Sequence, residues 1–563
     1  MVVKEVLLPD VAAGPLIARL IAQPDDAPGV ALTVVRDGRL LTQHCVGLAN
    51  LDHGVPIRPD TKFHIVSMSK TFDAAAILTL AATGALSLDD DIRRHLPELP
   101  EAIGKTGIVT IGHLVSMTSG LRDGLEIERL RGRWGVDRGS VGDLLAIAYG
   151  QSAVSAPAGA EYMYANINFV LAREIVRRAS GLPTDAYRRQ VLYDPIGLEA
   201  TQERTHDGIV LAGLAAPYVR DGNAWVRATD LLGIAGDPLV TNLEDLTRWI
   251  LAIRDGRLGA TATTAQMAER VRLSDGNPIY YGLGLAHRRY RGLSVLCHSG
   301  SQPGYKAHLA YLPERDLGIG VLSNREDTAA EELTRKVIET CLAEDLPQPH
   351  PEHDAAGRLS ASGQSGAFAQ AIEGTYVDIE AGEWMRLALK DGVLCAETLA
   401  GPLFLYPAGD CVFRDGEDYR AAIPAELSFE CGAGPEATIC RANLGGRRSR
   451  LTKQAPQTVD DREPAEFVGR YESAEIASHH EVSLGAGGLV IQYGLGFESG
   501  RRFTMTPIAR DAFLVQPVAP GIHYRHVFRF QRDAGGRIVA AVVTMNRLRG
   551  VRLERTAQPG SAT

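Results

Sequence analysis

The pattern of apolar and polar positions divides the chain into two regions. Up to residue 346, stretches with apolar residues at helical spacing, such as 71–83 and 169–176, alternate with short strand-like runs, such as 307–312 and 318–322. After residue 366 helical spacing largely disappears, and short alternating runs are separated by Gly, Asp and Pro. Alternation with a period of two is typical of β-strands. The pattern therefore predicts a mixed region of helices and strands, followed by antiparallel β structure.

Two breaks and a weak repeat divide the second region further. Residues 347–366 are rich in Pro and then in Ala, Ser and Gly, and a second break lies at 455–464. Ile-Glu-Gly-Thr-Tyr at 372–376 resembles Phe-Val-Gly-Arg-Tyr at 467–471, and a strand–turn–strand pattern follows each. Tandem copies of one all-β unit, forming two small up-and-down barrels without exposed sheet edges, explain this pattern best. The predicted domains are residues 1–346, 363–455 and 463–563.

The helix predicted over residues 71–83 begins directly after a serine and a lysine that are three residues apart. Residues at this spacing face each other across one helical turn, so Ser67 and Lys70 are in contact if this segment opens a helix. A serine hydroxyl needs a nearby base to act as a nucleophile, and a helix N-terminus favours the negative charge that develops there. The pair predicts a nucleophile with its activating base, although the same spacing also fits an ordinary surface Ser and Lys.

A tyrosine and an asparagine precede the helical pattern of residues 169–176, which ends at Gly181. Tyr164 is thus expected in a loop just before a helix, where its phenolic oxygen is presented. A tyrosine near two cations can act as a general base and then return the proton to the leaving group. The amide of Asn166 can hold a substrate carbonyl and bond the lysine. The alternative is a half-buried Tyr followed by a helix-capping Asn.

A third stretch ends the strand predicted over residues 293–298 and consists of a histidine followed by small residues. Small residues at a strand edge let a substrate backbone approach closely, and the edge can offer an N–H to an oxyanion. We expect Gly300 and Ser301 to bind substrate here, with the N–H groups of Ser67 and Ser301 forming the oxyanion hole. His298 would contact substrate or polarise the tyrosine. The alternative is a strand histidine bonded to the backbone.

The three motifs in this order, roughly a hundred residues apart, resemble the penicillin-recognising serine hydrolases of the class C β-lactamase type. The resemblance covers most of the first 345 residues, including the stretches 86–90 and 118–121 between the motifs. It implies an α+β catalytic domain of the β-lactamase and penicillin-binding type, built from an antiparallel sheet with helices. It also implies an acyl-enzyme on Ser67, with proton transfer by Lys70 and Tyr164.

One departure narrows the activity that the resemblance implies. β-Lactamases and carboxypeptidases of this family carry Lys-Thr-Gly in the third motif, and the lysine helps to hold a substrate carboxylate. This chain has His298 there, which is similar to the esterases, amidases and D-aminopeptidases of the family. No second-carboxylate motif of the class A kind is evident, so Tyr164 is the better base for deacylation.

The three-part layout is similar to that of the D-aminopeptidases in the family, which combine a penicillin-recognising domain with two eight-stranded barrels. This resemblance runs to the C-terminus and implies release of N-terminal D-amino acids from small peptides or amides; the preference for D residues rests on it alone. It also implies a loop of the last barrel that limits access, expected near residues 493–501, where Glu498 would pair with the substrate ammonium. An ordinary hairpin loop is the alternative. An esterase, an amine-using cyclase and a non-catalytic binding protein stay open as functions.

Composition and charge bear on partners and location. The net charge of -9 argues against nucleic acid, and no apolar run reaches membrane-spanning length. The first nine residues lack the pattern of a secretion signal, and seven cysteines without paired spacing predict reduced thiols in the cytoplasm. No histidine has the spacing of a metal site, so neither a metal nor another cofactor is expected. The oligomeric state is open, with a homodimer as the candidate.

Overall fold

The structure is a computed structural model of the 563-residue chain. It describes residues 9–133, 140–205, 209–228, 239–260, 263–343, 345–346, 364–390, 392–409, 411–416, 423–430, 439–455, 464–494, 502–517 and 525–556. The α-helices in these ranges are α1 (Pro9–Leu20), α2 (Lys70–Ala82), α3 (Ile92–His95), α4 (Ile111–Val115), α5 (Gly124–Leu130), α6 (Val141–Tyr149), α7 (Ile167–Ser180), α8 (Thr184–Arg188), α9 (Asp194–Ile196), α10 (Leu243–Asp255), α11 (Thr263–Ala268), α12 (Ala330–Cys341) and α13 (Gln364–Ala371).

The strands fall into an N-terminal set and two barrel sets. The N-terminal set is β1 (Val30–Arg36), β2 (Arg39–Val46), β3 (Leu48–Asn50), β4 (Val55–Pro56), β5 (Phe63–His64), β6 (Gln202–Glu203), β7 (Tyr218–Asp221), β8 (Ala224–Arg227), β9 (Leu239–Thr241), β10 (Ala286–Tyr290), β11 (Leu293–Gln302), β12 (Tyr305–Leu312) and β13 (Leu317–Ser323). The first barrel has β14 (Gly374–Asp378), β15 (Glu383–Lys390), β16 (Val393–Thr398), β17 (Gly401–Gly409), β18 (Val412–Asp415), β19 (Ala425–Phe429), β20 (Ile439–Leu444) and β21 (Arg447–Gln454). The second has β22 (Gly469–Ser473), β23 (Ser478–Gly485), β24 (Gly488–Gly494), β25 (Arg502–Ala509), β26 (Ala512–Pro517), β27 (His526–Arg532), β28 (Ile538–Met545) and β29 (Leu548–Thr556).

A six-stranded antiparallel sheet forms the frame of the N-terminal region. Its order is β10–β11–β12–β13–β1–β2, so strands from the two ends of this region meet at the pairing of β1 with β13. Strands β1 and β13 are buried along almost their whole length, which explains why their sequences are nearly continuous apolar runs. The predicted combination of an antiparallel sheet with helices is confirmed.

Helix α2 follows the candidate nucleophile and is held by close packing against α10 and the sheet. Phe72 of α2 stacks on Trp249 of α10 with their ring centroids 3.7 Å apart. Gly320 lets α10 approach β13 closely, since a Cβ atom at this position would lie 2.7 Å from the Leu246 side chain. Almost every side chain of α2 is buried, so the start of this helix has a fixed place in the domain.

Two closed barrels of eight strands follow, each with its strands in chain order. The predicted repeat marks the same position in both. The Tyr376 hydroxyl donates to the carbonyl of Ile372, and the Tyr471 hydroxyl donates to the carbonyl of Phe467, both at 2.9 Å. Each tyrosine is fully buried at the first strand of its barrel. The prediction of two small antiparallel barrels is confirmed.

The second barrel docks directly on the N-terminal region. The carbonyl of Leu130, at the end of α5, accepts hydrogen bonds from Ser478 Oγ at 2.6 Å and lies 3.0 Å from His480 Nε2. The hairpin between β28 and β29 is held by Arg122, whose Nε and Nη2 donate to the carbonyls of Arg549 and Gly550 at 3.1 and 3.2 Å. The apolar core of this barrel is continuous with that of the N-terminal region.

One expectation about the cysteines is wrong. Five described cysteines are free thiols: Cys45, Cys297, Cys341, Cys395 and Cys440. Cys411, in contrast, is disulfide-bonded. Since the spacing of cysteines along the chain does not give the distance between their sulfur atoms in the fold, the sequence could not show this bond. Among the described residues no helix is both long and apolar enough to cross a membrane.

Candidate active site

The predicted nucleophile lies in a tight turn before α2. Residues Val66–Ser69 form a 3₁₀ turn, and Lys70 is the first residue of α2. Lys70 Nζ donates a hydrogen bond to Ser67 Oγ at 2.9 Å, so the contact expected from the three-residue spacing is present. Val66 has a φ of 49°, a left-handed conformation that is unfavourable for a β-branched residue. The turn that presents Ser67 is therefore strained.

The Lys70 side chain is fully buried and faces aromatic rings. Its ammonium lies 5.4 Å from the ring centroid of Tyr164 and 5.8 Å from that of Phe169. Aromatic faces attract cations at such distances. The fold thus brings Tyr164 next to Ser67 and Lys70, although it lies far from them in sequence.

The loop that carries Tyr164 and Asn166 is anchored by a carboxylate that the sequence reasoning did not identify. Asp123, at the start of α5, accepts hydrogen bonds from the backbone N–H of Asn166 at 2.9 Å, from Asn166 Nδ2 at 3.3 Å and from the backbone N–H of Ile167 at 3.4 Å. These donors belong to the N-terminus of α7, where backbone N–H groups lack helical partners. The sequence contained one indication of Asp123, because this residue closely follows the stretch 118–121 that carries part of the family resemblance.

Burial raises the pKa of Asp123, because a carboxylate loses hydration inside the protein. The charge of Arg547 and the N–H of Asn166 act in the opposite direction. Asp123 is fully buried, so its ionised form depends on these groups and on the charge of Arg129, while the charge of Glu126 opposes it.

Strand β11 lies against the nucleophile turn at Gly300. A Cβ atom on Gly300 would lie 2.1 Å from the carbonyl oxygen of Ile65 and 3.3 Å from the backbone N of Ser67. Only glycine fits this approach without moving the backbone. Strand β10 pairs with β11 only as far as Cys297. From His298 onward, β12 is the one strand in the described part of the chain that pairs with β11. The other edge of β11 faces the site.

His298 is buried on the same face of β11 as Gly300, since side chains two residues apart share a face. Its Nε2 lies 3.1 Å from the hydroxyl of Tyr281, and its Nδ1 lies 2.8 Å from the carbonyl of Ser299. Its ring centroid is 6.4 Å from that of Tyr164. The histidine therefore reaches the tyrosine by ring contact, and sequence reasoning missed Tyr281 as its hydrogen-bond partner.

Ser301 points away from this face. By strand alternation its side chain lies opposite to Gly300, where its hydroxyl accepts a hydrogen bond from Lys306 Nζ at 2.8 Å. Lys306 also pairs with Glu326 at 3.1 Å. A role of Ser301 toward substrate is thus limited to its backbone N–H. Glu498 and most of the predicted access loop at 493–501 lie outside the described residues; Tyr493 and Gly494 end strand β24.

The chain belongs to the Beta-lactamase family, which matches residues 17–342. It is 27% identical over 505 residues to a D-aminopeptidase of Gluconobacter oxydans (strain 621H), with 87% of this chain and 88% of the relative covered. Its fold resembles the octameric penicillin-binding protein homologue from Pyrococcus abyssi, with a TM-score of 0.54, 20% identity, and coverage of 79% and 99%. It also resembles SurE, with a TM-score of 0.52, 18% identity, and coverage of 97% and 99%.

The described residues contain no group of three or more His, Cys, Asp and Glu side chains placed to hold a metal ion. The site consists of hydroxyl, ammonium, amide and imidazole groups. Such groups can carry nucleophilic attack and proton transfer.

Proposed function

We propose that this protein is a serine hydrolase that releases N-terminal D-amino acids from small peptides or amides. The observation that carries the proposal is the hydrogen bond from Lys70 Nζ to Ser67 Oγ, in a buried site that also holds Tyr164. Relatives named D-aminopeptidase that align along 87% of the chain support the substrate class. His298 in place of a third-motif lysine weighs against substrates whose carboxylate needs a lysine partner there.

In this proposal Ser67 Oγ attacks the substrate carbonyl carbon, and its proton moves through Lys70 and Tyr164 to the leaving amine. The backbone N–H groups of Ser67 and Ser301 stabilise the oxyanion. Tyr164 then takes a proton from the water that hydrolyses the acyl-enzyme. Asn166 and the strand edge at His298 orient the substrate.

The substrate contact predicted for Glu498 and the access loop at 493–501 remain proposals. The domain limits 1–346, 363–455 and 463–563 are also proposed, and the strand bounds Gly374–Gln454 and Gly469–Thr556 of the two barrels fit within them. A homodimer stays a candidate assembly. A cytoplasmic location stays a prediction, against which the disulfide at Cys411 weighs.

The first test is the substitution Ser67→Ala. We expect turnover of D-alanine p-nitroanilide to be abolished while the protein stays folded, because the hydroxyl is the nucleophile and its loss removes one hydrogen-bond partner of Lys70. Ser180→Ala is the matched control and should keep full activity, because this partly buried hydroxyl at the end of α7 bonds the backbone of Leu182 and lies outside the proposed site. Turnover retained by Ser67→Ala would overturn the proposed mechanism.

Three substrates compared side by side decide the reaction class. Cleavage of the D-alanine anilide, without that of the L-alanine anilide, supports the proposal. Cleavage of p-nitrophenyl acetate alone identifies an esterase or another acyl transferase, and a product that forms only with an added amine identifies an aminolysing enzyme.

A further inference from the structure

The turn between β28 and β29 of the second barrel reaches the candidate active site. This turn consists of Asn546 and Arg547. The guanidinium carbon of Arg547 lies 4.9 Å from the ring centroid of Tyr164, and its Nη1 lies 3.7 Å from Asp123 Oδ2. The backbone N–H of Asp123 also donates to the Arg547 carbonyl at 3.0 Å.

We propose that Arg547 is a positioning residue of the acyl-transfer site, supplied by the second barrel, that holds Asp123 and Tyr164 in their working arrangement. The inference rests on the proposed function, because it assigns a role in the reaction of that same site. It concerns a different segment from the access loop predicted at 493–501.

The contacts of Arg547 connect three elements of the site. Asp123 holds the N-terminus of α7 through the N–H groups of Asn166 and Ile167, and Arg547 provides the cation beside this carboxylate. The same guanidinium lies over the Tyr164 ring and restricts its rotation. Loss of Arg547 therefore loosens both the tyrosine and the asparagine that sequence analysis assigned to the site.

The turn is held in place by contacts that do not involve Arg547. Arg122 bonds the carbonyls of Arg549 and Gly550, and Ser155 Oγ accepts a hydrogen bond from the Arg549 N–H at 3.1 Å. Arg549 also pairs with the buried carboxylate of Glu161. A change at position 547 should therefore leave the barrel docked, so a loss of activity can be separated from a loss of the interface.

The charge of Arg547 matters because Asp123 is fully buried while 29% of the arginine side chain is exposed. Removing the guanidinium leaves Asp123 with its hydrogen-bond donors and with the charge of Arg129, which also lowers its pKa but is itself paired with Glu126, whose charge raises it. The pKa of Asp123, which burial already raises, should then rise further. A protonated Asp123 accepts more weakly from the N–H groups of α7, so activity should fall at a higher pH than in the wild type.

The test compares Arg547→Ala, Arg547→Lys and the control Arg552→Ala in the full chain. Arg552 is exposed on β29, the strand that follows the turn, and contacts Glu554 and Gln531 within the barrel. We expect Arg547→Ala to lower kcat about 10- to 100-fold with a smaller change in KM, since small misplacements of reacting groups have effects of this size. The acidic limb of its kcat/KM profile should move to higher pH. Arg547→Lys should restore much of kcat and should return the acidic limb toward its wild-type pH. Arg552→Ala should match the wild type in both.

A further variant, Asp123→Asn, completes a double-mutant cycle. If Arg547 acts through Asp123, Arg547→Ala should cost less activity in the Asp123→Asn background than in the wild type. Equal losses in both backgrounds, or a lower melting temperature without a shifted acidic limb, would overturn the positioning role.

Both the D-alanine anilide and p-nitrophenyl acetate should serve as substrates in this test. If the wild type cleaves only the acetate, the proposed substrate class fails, while the effect of Arg547 on acyl transfer is still measured. If the wild type acts on both and Arg547→Ala equals the wild type throughout, the inference fails and the proposed function stands. No acylation of the wild type by either substrate would overturn both.

Discussion

Gly300 lies where strand β11 and the nucleophile turn are closest. A methyl group at this position would overlap the Ile65 carbonyl oxygen, with only 2.1 Å between them, so the strand and the turn would have to separate. We expect Gly300→Ala to fold but to lose about 100-fold in kcat/KM, because a displacement of about 1 Å can have this effect. Steady-state kinetics with the D-alanine anilide measure the loss.

Gly487→Ala provides the matched control, since a Cβ atom at Gly487 meets nothing within 4 Å. It should leave kcat/KM unchanged. Activity of Gly300→Ala equal to that of Gly487→Ala would show that the strand edge does not need this close approach.

Local spacing was sufficient to predict the Ser67–Lys70 contact, because both residues lie within one turn of chain. It was also sufficient to place Tyr164 before a helix, which the structure begins at Ile167. Asp123 and Arg547 could not be predicted in this way, since their pairing is created by the docking of the second barrel. The disulfide of Cys411 was also missed, because the spacing of cysteines along the chain does not give the distance between two sulfur atoms.

The repeated tyrosines show how one structural element recurs in the two barrels. Tyr376 and Tyr471 are both fully buried and donate to the carbonyl four residues earlier. We expect Tyr376→Phe and Tyr471→Phe each to lower stability by about 1–2 kcal/mol, because a buried carbonyl loses its donor while the packing is kept. Urea unfolding followed by fluorescence measures the shift.

The two effects should add in the double variant, since the residues belong to different barrels and share no partner. A strongly non-additive result, or no loss in either variant, would contradict the equivalent roles. The repeat was visible in the sequence, but its hydrogen bond was not, because a strand pattern does not give the position of the preceding carbonyl.

At the scale of the elements, the sequence pattern predicted the presence of the strands in the sheet more accurately than the residues at which they end. The strand predicted over 293–298 extends to Gln302. The small residues after His298, which were expected at a strand edge, pair with β12 from Ser299 to Gln302. Pairing with a long neighbour thus extends a strand through glycine and serine, whose own β propensity is low.

At the scale of the whole molecule, the second barrel also contributes residues to the candidate active site. The sequence indicated its existence through the repeat, and the family resemblance implied that part of it approaches the site at 493–501. The structure shows a contact at the turn with Arg547, and most of residues 493–501 lie outside the part of the chain that it describes. Contacts between domains depend on surfaces that no periodicity records, so this arrangement required the structure.

Two buried histidines of the second barrel should make the protein sensitive to acid. His480 faces the carbonyl of Leu130 in α5. The Nε2 atom of His526 lies 2.6 Å from the hydroxyl oxygen of Tyr493. Burial lowers the pKa of each histidine to about 3, with His479 adding to the shift at His480, and His480 to that at His526. Between pH 6.5 and 3 the unfolded chain therefore binds protons that the folded barrel does not.

Stability should consequently be full above pH 6.5 and should be lost as the pH falls. By pH 5 the loss amounts to about 2 kcal/mol for each of the two histidines. Thermal unfolding from pH 7.5 to 5 measures it, in the wild type and in His480→Gln, which retains a side-chain N–H donor but does not titrate. The variant should lose about 2 kcal/mol less than the wild type over this range. If the wild type and His480→Gln lose the same stability over this range, His480 is protonated in the folded protein, and its imidazolium donates to the Leu130 carbonyl.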